Sequence, residues 1–216
     1  MVVGADEAGK GPALGPMVAG AVRADAADLP EGLADSKQLT ETRREELATE
    51  LRDHPEISVA TAAIPPERID APDTDMNSLG VAAQAEAVAS VAEENGTVIA
   101  DAADTDEARF ARRLREAVVD AGTEVDVTAE HGADEAHAIV SAASVVAKVE
   151  RDRRMAEIDG QYDRDVGSGY PSDPTTRAFL GEYVDEHGEL PACARATWST
   201  CEDALAAAEQ SGLGEF

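Results

Sequence analysis

The sequence predicts an α/β protein with a mixed sheet and a helical C-terminal annex, and three observations carry that prediction. Short apolar runs at Met1–Val3, 17–22 and 57–64 have strand length and are bounded by Gly, Pro or Asp. From residue 77 onward, helix-length segments alternate with short apolar runs, which is the pattern of strands joined by crossover helices. Past Gly160 no further strand signal occurs. The 216 residues, 43% of them apolar, suffice for one sizeable core or a main domain with an appendage. The expected division is 1–160 and 161–216.

Residues 1–6 and 16–23 read as two strands joined by a Gly/Pro turn. A helix follows over 40–52, with Thr40 as its N-cap. The third strand, 57–64, stops at Pro65-Pro66. An Ala-rich helix is expected over 77–94, ended by Asn95-Gly96. Residues 97–100 form a short strand with Asp101 at its end. The segment 106–121 is helical, carries Arg109, Arg112, Arg113 and Arg115, and is closed by Gly122. A fifth strand over 125–129 leads to one long helix over 134–159. Two more helices are expected, over 174–187 and from Trp198. The chain has no internal repeat and no low-complexity segment.

The charge balance is extreme, with 45 acidic against 18 basic residues and a net charge of −27. Acidic residues run through the whole chain rather than gathering in a tail. A compact chain so charged suits concentrated salt, where screening removes the self-repulsion that opposes folding. Only three basic residues are lysines, Lys10, Lys37 and Lys148, and each lies in an unusual local motif. They are candidates for work that needs a compact point charge. Cys193 and Cys201 match no zinc spacing and read as unlinked thiols. The absence of a basic leader or a membrane-length apolar run leads to the expectation of a cytoplasmic protein.

The chemistry concentrates in Met1–Gly20. A buried strand that ends in adjacent carboxylates, Asp6 and Glu7, needs a cation to offset their repulsion; an ordinary polar turn is the plain alternative. Gly4–Gly11, G-A-D-E-A-G-K-G, resembles a phosphate loop but has Gly11 where the hydroxyl residue belongs. Its two acids would also repel a phosphate. Asp101 ends a later strand; were the two strands parallel neighbours, both carboxylates would emerge at one sheet edge. Asp134, Ser141, Ser144 and Lys148 would share one face of the long helix. Asp134 reads equally well as an N-cap, and Ser141 and Ser144 as small packing residues. His131 and His137 read as surface or supporting residues. Four carboxylates without a His/Cys set favour Mg²⁺ or Mn²⁺ over zinc.

The segments GADEAGKGPALGPMV, DSKQL, EHGAD, SAASVVAKVERD and GSGYPSDP occur in order from Val3 to about Trp198. Together they resemble the type 2 ribonuclease H family (ribonuclease HII), especially its archaeal members. The resemblance implies a ribonuclease H-like, mixed five-stranded sheet flanked by helices, with a helical C-terminal extension. It implies an endonuclease acting on RNA–DNA hybrids and on ribonucleotides embedded in duplex DNA. Two Mg²⁺ or Mn²⁺ ions would serve the reaction, leaving 3′-hydroxyl and 5′-phosphate ends. Carried over, the acidic, metal-binding site falls on Asp6, Glu7, Asp101 and Asp134, with Asp104 as the alternative to Asp101. The segment that senses the ribose 2′-hydroxyl falls on Gly9, Lys10 and Gly11, and the substrate-contacting tyrosine on Tyr170. Lys37, Ser144 and Lys148 are expected phosphate contacts. The chain departs from the archaeal pattern at Gly132, where lysine is common, and at Glu135-Ala136-His137, which replaces a basic-aromatic segment. With fewer positive charges there, the strength of substrate binding at ordinary salt is left open. The tail GLGEF lacks an aromatic pair for a sliding-clamp motif, and nothing requires more than a monomer.

Overall fold

The computed structural model describes residues 1–33 and 39–213. Its sheet contains β1 (Val2–Ala8), β2 (Met17–Ala24), β3 (Ser58–Ile64), β4 (Gly96–Asp101) and β5 (Val125–Glu130), in the order β3-β2-β1-β4-β5. β1 is antiparallel to β2 and parallel to β4, and β4 is parallel to β5. The sheet is therefore mixed, as the sequence predicts. The central β1 presents buried Val3 and Ala5 with little polar content before Asp6, as suits a strand covered on both faces.

The described residues form eight helices: α1 (Glu41–Asp53), α2 (Pro66–Ile69), α3 (Met76–Ala89), α4 (Glu107–Asp120), α5 (Ala133–Ala136), α6 (Ala138–Asp159), α7 (Pro174–His187) and α8 (Ser199–Leu213). Side chains cap four of these N-termini. Thr40 accepts from Arg43 N, Asp75 from Asn77 N and Ser78 N, Asp106 from Arg109 N, and Asp173 from Thr175 N. α4 buries Phe110, Leu114 and Val118 at four-residue spacing.

Three expectations need correction. The helix expected over 77–94 ends at Ala89 with Ser90 as its C-cap, and Gly96 opens β4 rather than closing the helix. The short α2 begins at Pro66, just past β3, in a stretch where no helix is predicted; proline at its first position fits the start of a helix. The helix expected over 134–159 is two helices. Gly132, at φ 68°, turns the chain into α5, and His137 is extended at φ −128° and ψ 114°. His137 N donates to Ala133 O at 2.9 Å, while its carbonyl accepts from Val140 N and Ser141 N at 3.0 Å each. One residue thus closes α5 and opens α6, with its ring 3.0 Å from a Glu130 carboxylate oxygen. Asp134 is consequently in the first turn of α5, neither an N-cap nor on the face shared by Ser141, Ser144 and Lys148.

The described chain forms two compact units. The first comprises Met1–Ala8, Met17–Ala63 and Asp75–Arg151 and carries the sheet. Here α6 meets the sheet at backbone distance. A Cβ on Gly4 would fall 2.2 Å from Ile139 O, and one on Gly20 2.5 Å from Ala143 O. Glycine at both positions is what lets the helix approach. The core on this face joins Val22, Leu47, Leu51, Ile57, Val140, Val145 and Val146.

The second unit comprises Gly9–Pro16, Ile64–Thr74 and the chain from Asp152 onward. Its core holds Leu14, Met155, Val166, Phe179, Leu180 and Cys201, with the Tyr162 ring edge-on to Phe179 at 5.0 Å. Cys193 and Cys201 are buried and unlinked, and burial pushes the Cys201 thiol up to about 11. Among the described residues, no helix is long and apolar enough to cross a membrane.

Candidate active site

The ladder between β1 and β4 sets Ala5 level with Ala100, and the next residues on the two parallel strands are Asp6 and Asp101. Both carboxylates therefore leave the sheet at the carboxyl end, where α/β sheets present their ligand sites. Successive strand residues point to opposite faces. Gly4 and Asp6 face α6, and Ser144 of that helix lies beside the Asp6 carboxylate. Glu7 turns the other way, and Gln84 of α3 donates from Nε2 to its Oε2 at 2.6 Å. The same Nε2 lies 3.0 Å from the Asp101 carbonyl. One amide thus joins the ends of β1 and β4.

Asp6 is only 6% exposed. Burial, the Glu7 charge beside it and, further off, Asp101 raise its pKa well above the ordinary carboxylate range. The Ser144 hydroxyl and the Glu7 N–H pull the other way without compensating. Ser144 itself is buried, and its hydroxyl has no hydrogen-bond partner of normal geometry. It was expected to contact phosphate; at 1% exposure it reaches the Asp6 carboxylate instead of solvent.

Asp101 Oδ1 accepts from Ala133 N at 2.8 Å, which ties the end of β4 to the first turn of α5. The next residue, Asp134, is 6% exposed. Asp104, the alternative to Asp101, is taken up elsewhere. Its two oxygens accept from Arg109 Nε at 2.9 Å and Nη2 at 2.5 Å, which holds its pKa well below the usual range. His131 bonds Asp104 O and Glu107, and His137 lies against Glu130. Neither is placed as a zinc ligand.

The donor set suits a hard divalent cation. It consists of oxygens, it concentrates negative charge where water is scarce, and it retains two buried oxygens without partners, Ser144 Oγ and Gln84 Oε1. Among the described residues, no three His, Cys, Asp or Glu side chains already stand as ligands of one ion. Glu7 and Asp101 are each held through one carboxylate oxygen, by Gln84 Nε2 and Ala133 N, and neither bond takes up the second oxygen of its carboxylate.

In the second unit, Gly9 at φ 82° starts a loop whose carbonyls are collected by one side chain. Arg195, fully buried, donates from Nη2 to Gly9 O at 2.6 Å, from Nη1 to Lys10 O at 3.1 Å and from Nε to Gly15 O at 2.9 Å. Trp198 Nε1 donates to Gly11 O at 3.3 Å. Ala13 N and Leu14 N both donate to Gly169 O, which precedes Tyr170. Tyr170 is 42% exposed, one of two large apolar side chains so open among the described residues. Lys148 is half-buried on α6, one turn beyond Ser144. Lys37 lies outside the described residues. Gln84 and Arg195 escaped the sequence reading; a lone amide on the buried side of an Ala-rich helix was the signal available for the first.

Fold and site together define an α/β protein with a cluster of carboxylates at the carboxyl end of its parallel strands. A family profile described as Ribonuclease HII matches residues 3–201. The chain is 59% identical to a ribonuclease HII of Haloarcula marismortui over the full length of both. Among solved structures it is similar to the ribonuclease H2 of Pyrococcus horikoshii, with a TM-score of 0.86 and 36% identity over 97% of this chain and 99% of that one. It is also similar to the chain in a PCNA:RNase HII complex from Archaeoglobus fulgidus, with a TM-score of 0.83 and 36% identity over 94% and 96%. The chain belongs to the ribonuclease HII family, which consists of metal-dependent endoribonucleases that cleave the RNA of RNA–DNA hybrids.

Proposed function

We propose that this chain also nicks duplex DNA at single embedded ribonucleotides, leaving 3′-hydroxyl and 5′-phosphate ends. The observation that carries the reading is the crowding of Asp6, Glu7 and Asp101 at the end of two parallel strands, which leaves a buried carboxylate with a raised pKa. Asp6, Glu7, Asp101 and Asp134 would hold Mg²⁺ or Mn²⁺. Bound there, two such ions supply activation of a water and stabilisation of charge on the phosphoryl and leaving oxygens.

The remaining work belongs to the chain's own residues. Ser144 supports the ionised form of Asp6, and Gln84 fixes the rotamer of Glu7. The Ala133 N–H orients Asp101. Gly9, Lys10 and Gly11 read the ribose 2′-hydroxyl, the one group that separates the substrate from DNA. Tyr170, exposed, stacks on the sugar at the junction, and Lys37 and Lys148 meet phosphates. The protein acts in a cytoplasm of concentrated salt, where screening lets a chain of net charge −27 approach a polyanion. The relative from A. fulgidus was solved with PCNA, but no clamp motif supports extending that contact to this chain.

The test is a DNA duplex with one ribonucleotide, incubated with Mn²⁺ or EDTA across a KCl series. A metal-dependent nick beside the ribonucleotide, strengthening toward molar salt, is expected. No nick with Mn²⁺ at any salt contradicts the proposal.

A further inference from the structure

We infer that Arg195 is a positioning residue that sets the ribonucleotide preference, by aiming the backbone donors of Lys10 and Gly11. The inference rests on the reading of Gly9–Gly11 as the 2′-hydroxyl sensor. A guanidinium with no exposed surface is expensive to bury unless its donors are matched. Here all three kinds of guanidinium nitrogen are spent on main-chain oxygens of one loop, those of Gly9, Lys10 and Gly15.

The consequence follows from peptide geometry. Among the described residues no peptide bond is cis, so each carbonyl of this loop points opposite to the N–H of the next residue. With the carbonyls of Gly9 and Lys10 drawn to Arg195, the N–H groups of Lys10 and Gly11 are turned to the other side of the loop. Pro12 ends the series because it has no N–H. Gly11 itself is exposed, so this stretch of the loop lies at the surface. The Trp198 bond to Gly11 O holds the next plane, and the Arg195 guanidinium lies 5.1 Å from the Trp198 ring centroid. Two successive N–H donors, pre-set on the side of the loop away from Arg195, suit a hydroxyl acceptor. Lysine, with a single ammonium, cannot span three carbonyls as the planar fork does.

The experiment measures equilibrium binding in EDTA and concentrated KCl to two duplexes, one all-DNA and one with a single ribonucleotide. It compares wild type, Arg195→Lys and Arg195→Ala, the last with and without low concentrations of guanidinium, and thermal melts check folding. For Arg195→Ala the preference ratio should fall about tenfold, the value of one or two neutral hydrogen bonds, while all-DNA affinity holds. Guanidinium should restore part of the ratio, and Arg195→Lys should lie between. An unchanged ratio in Arg195→Ala overturns the inference, as does an equal loss for both duplexes without guanidinium rescue. A wild type that binds both duplexes alike removes the sensor reading itself. Metal-dependent nicking then tests the catalytic reading independently.

Discussion

At Asp6 and Glu7 burial works against the residues that occupy it, whereas from Gly9 to Gly15 it works for them. The first region packs like charges, raises the Asp6 pKa and leaves Ser144 Oγ and Gln84 Oε1 unsatisfied. In the second, Arg195, Trp198 and the backbone around Gly169 and Cys193 take up the main-chain groups of the loop almost one by one. On the proposed reading, a site that attracts a cation is left electrostatically incomplete, and a site that presents fixed donors is completed from behind. The two therefore fail in different ways when altered.

The largest effect is expected at the incomplete site. Asp6→Asn or Asp134→Asn should cut nicking by roughly 10³-fold, because ligand loss forfeits several kcal/mol of charge stabilisation. Asp6→Asn should nonetheless raise the melting temperature of the metal-free protein. The folded pKa of Asp6 is raised, so stability is lost as pH rises from the ordinary carboxylate value through the folded one. The asparagine variant should lack that loss. A melting temperature lower than wild type at neutral pH would break the comparison.

Gln84 comes next. Replacing it with Leu keeps the volume but releases Glu7 from its 2.6 Å bond, and should weaken Mn²⁺ binding and nicking by about 10–100-fold. Equal Mn²⁺ affinity in the variant would reduce Gln84 to packing.

Little more than this could be read from the sequence, for reasons visible residue by residue. Asp6 and Glu7 stood out because adjacent carboxylates ending a buried strand need a cation, whereas Asp101 and Asp134 also read as cap residues and were assigned only through the family resemblance. The mixed sheet was readable because apolar runs and turn residues are local. The break at His137 was not, since it depends on Gly132 and Glu130 closing around one extended residue. The arginines of α4 cluster in the sequence, and there nothing shows that Arg109, Arg113 and Arg115 are engaged by Asp104, Ser78 and Glu124. Arg195 could not be assigned because its partners lie some 180 residues away, and main-chain oxygens leave no mark in a sequence.

The smallest effect is expected in the loop that carries Tyr170. Asp173 accepts from Ser168 N, Ser168 Oγ and Thr175 N, which lowers its pKa to about 2. Its stabilisation is fully present above an unfolded value of about 3.9 and is lost as pH falls toward the folded value. Asp173→Asn should flatten the acid side of the stability profile, measured by denaturant unfolding between these values. An unchanged slope would show that the loop does not depend on this carboxylate.

Calorimetric titration of Mn²⁺ into wild type and Asp6→Asn, with no nucleic acid present, reaches the central claim most directly. Saturable binding in wild type that is lost in the variant, and that opposes protons more strongly as pH falls, is the predicted result. Binding of equal strength in both proteins would contradict the assignment of the β1 and β4 carboxylates as the seat of the metal.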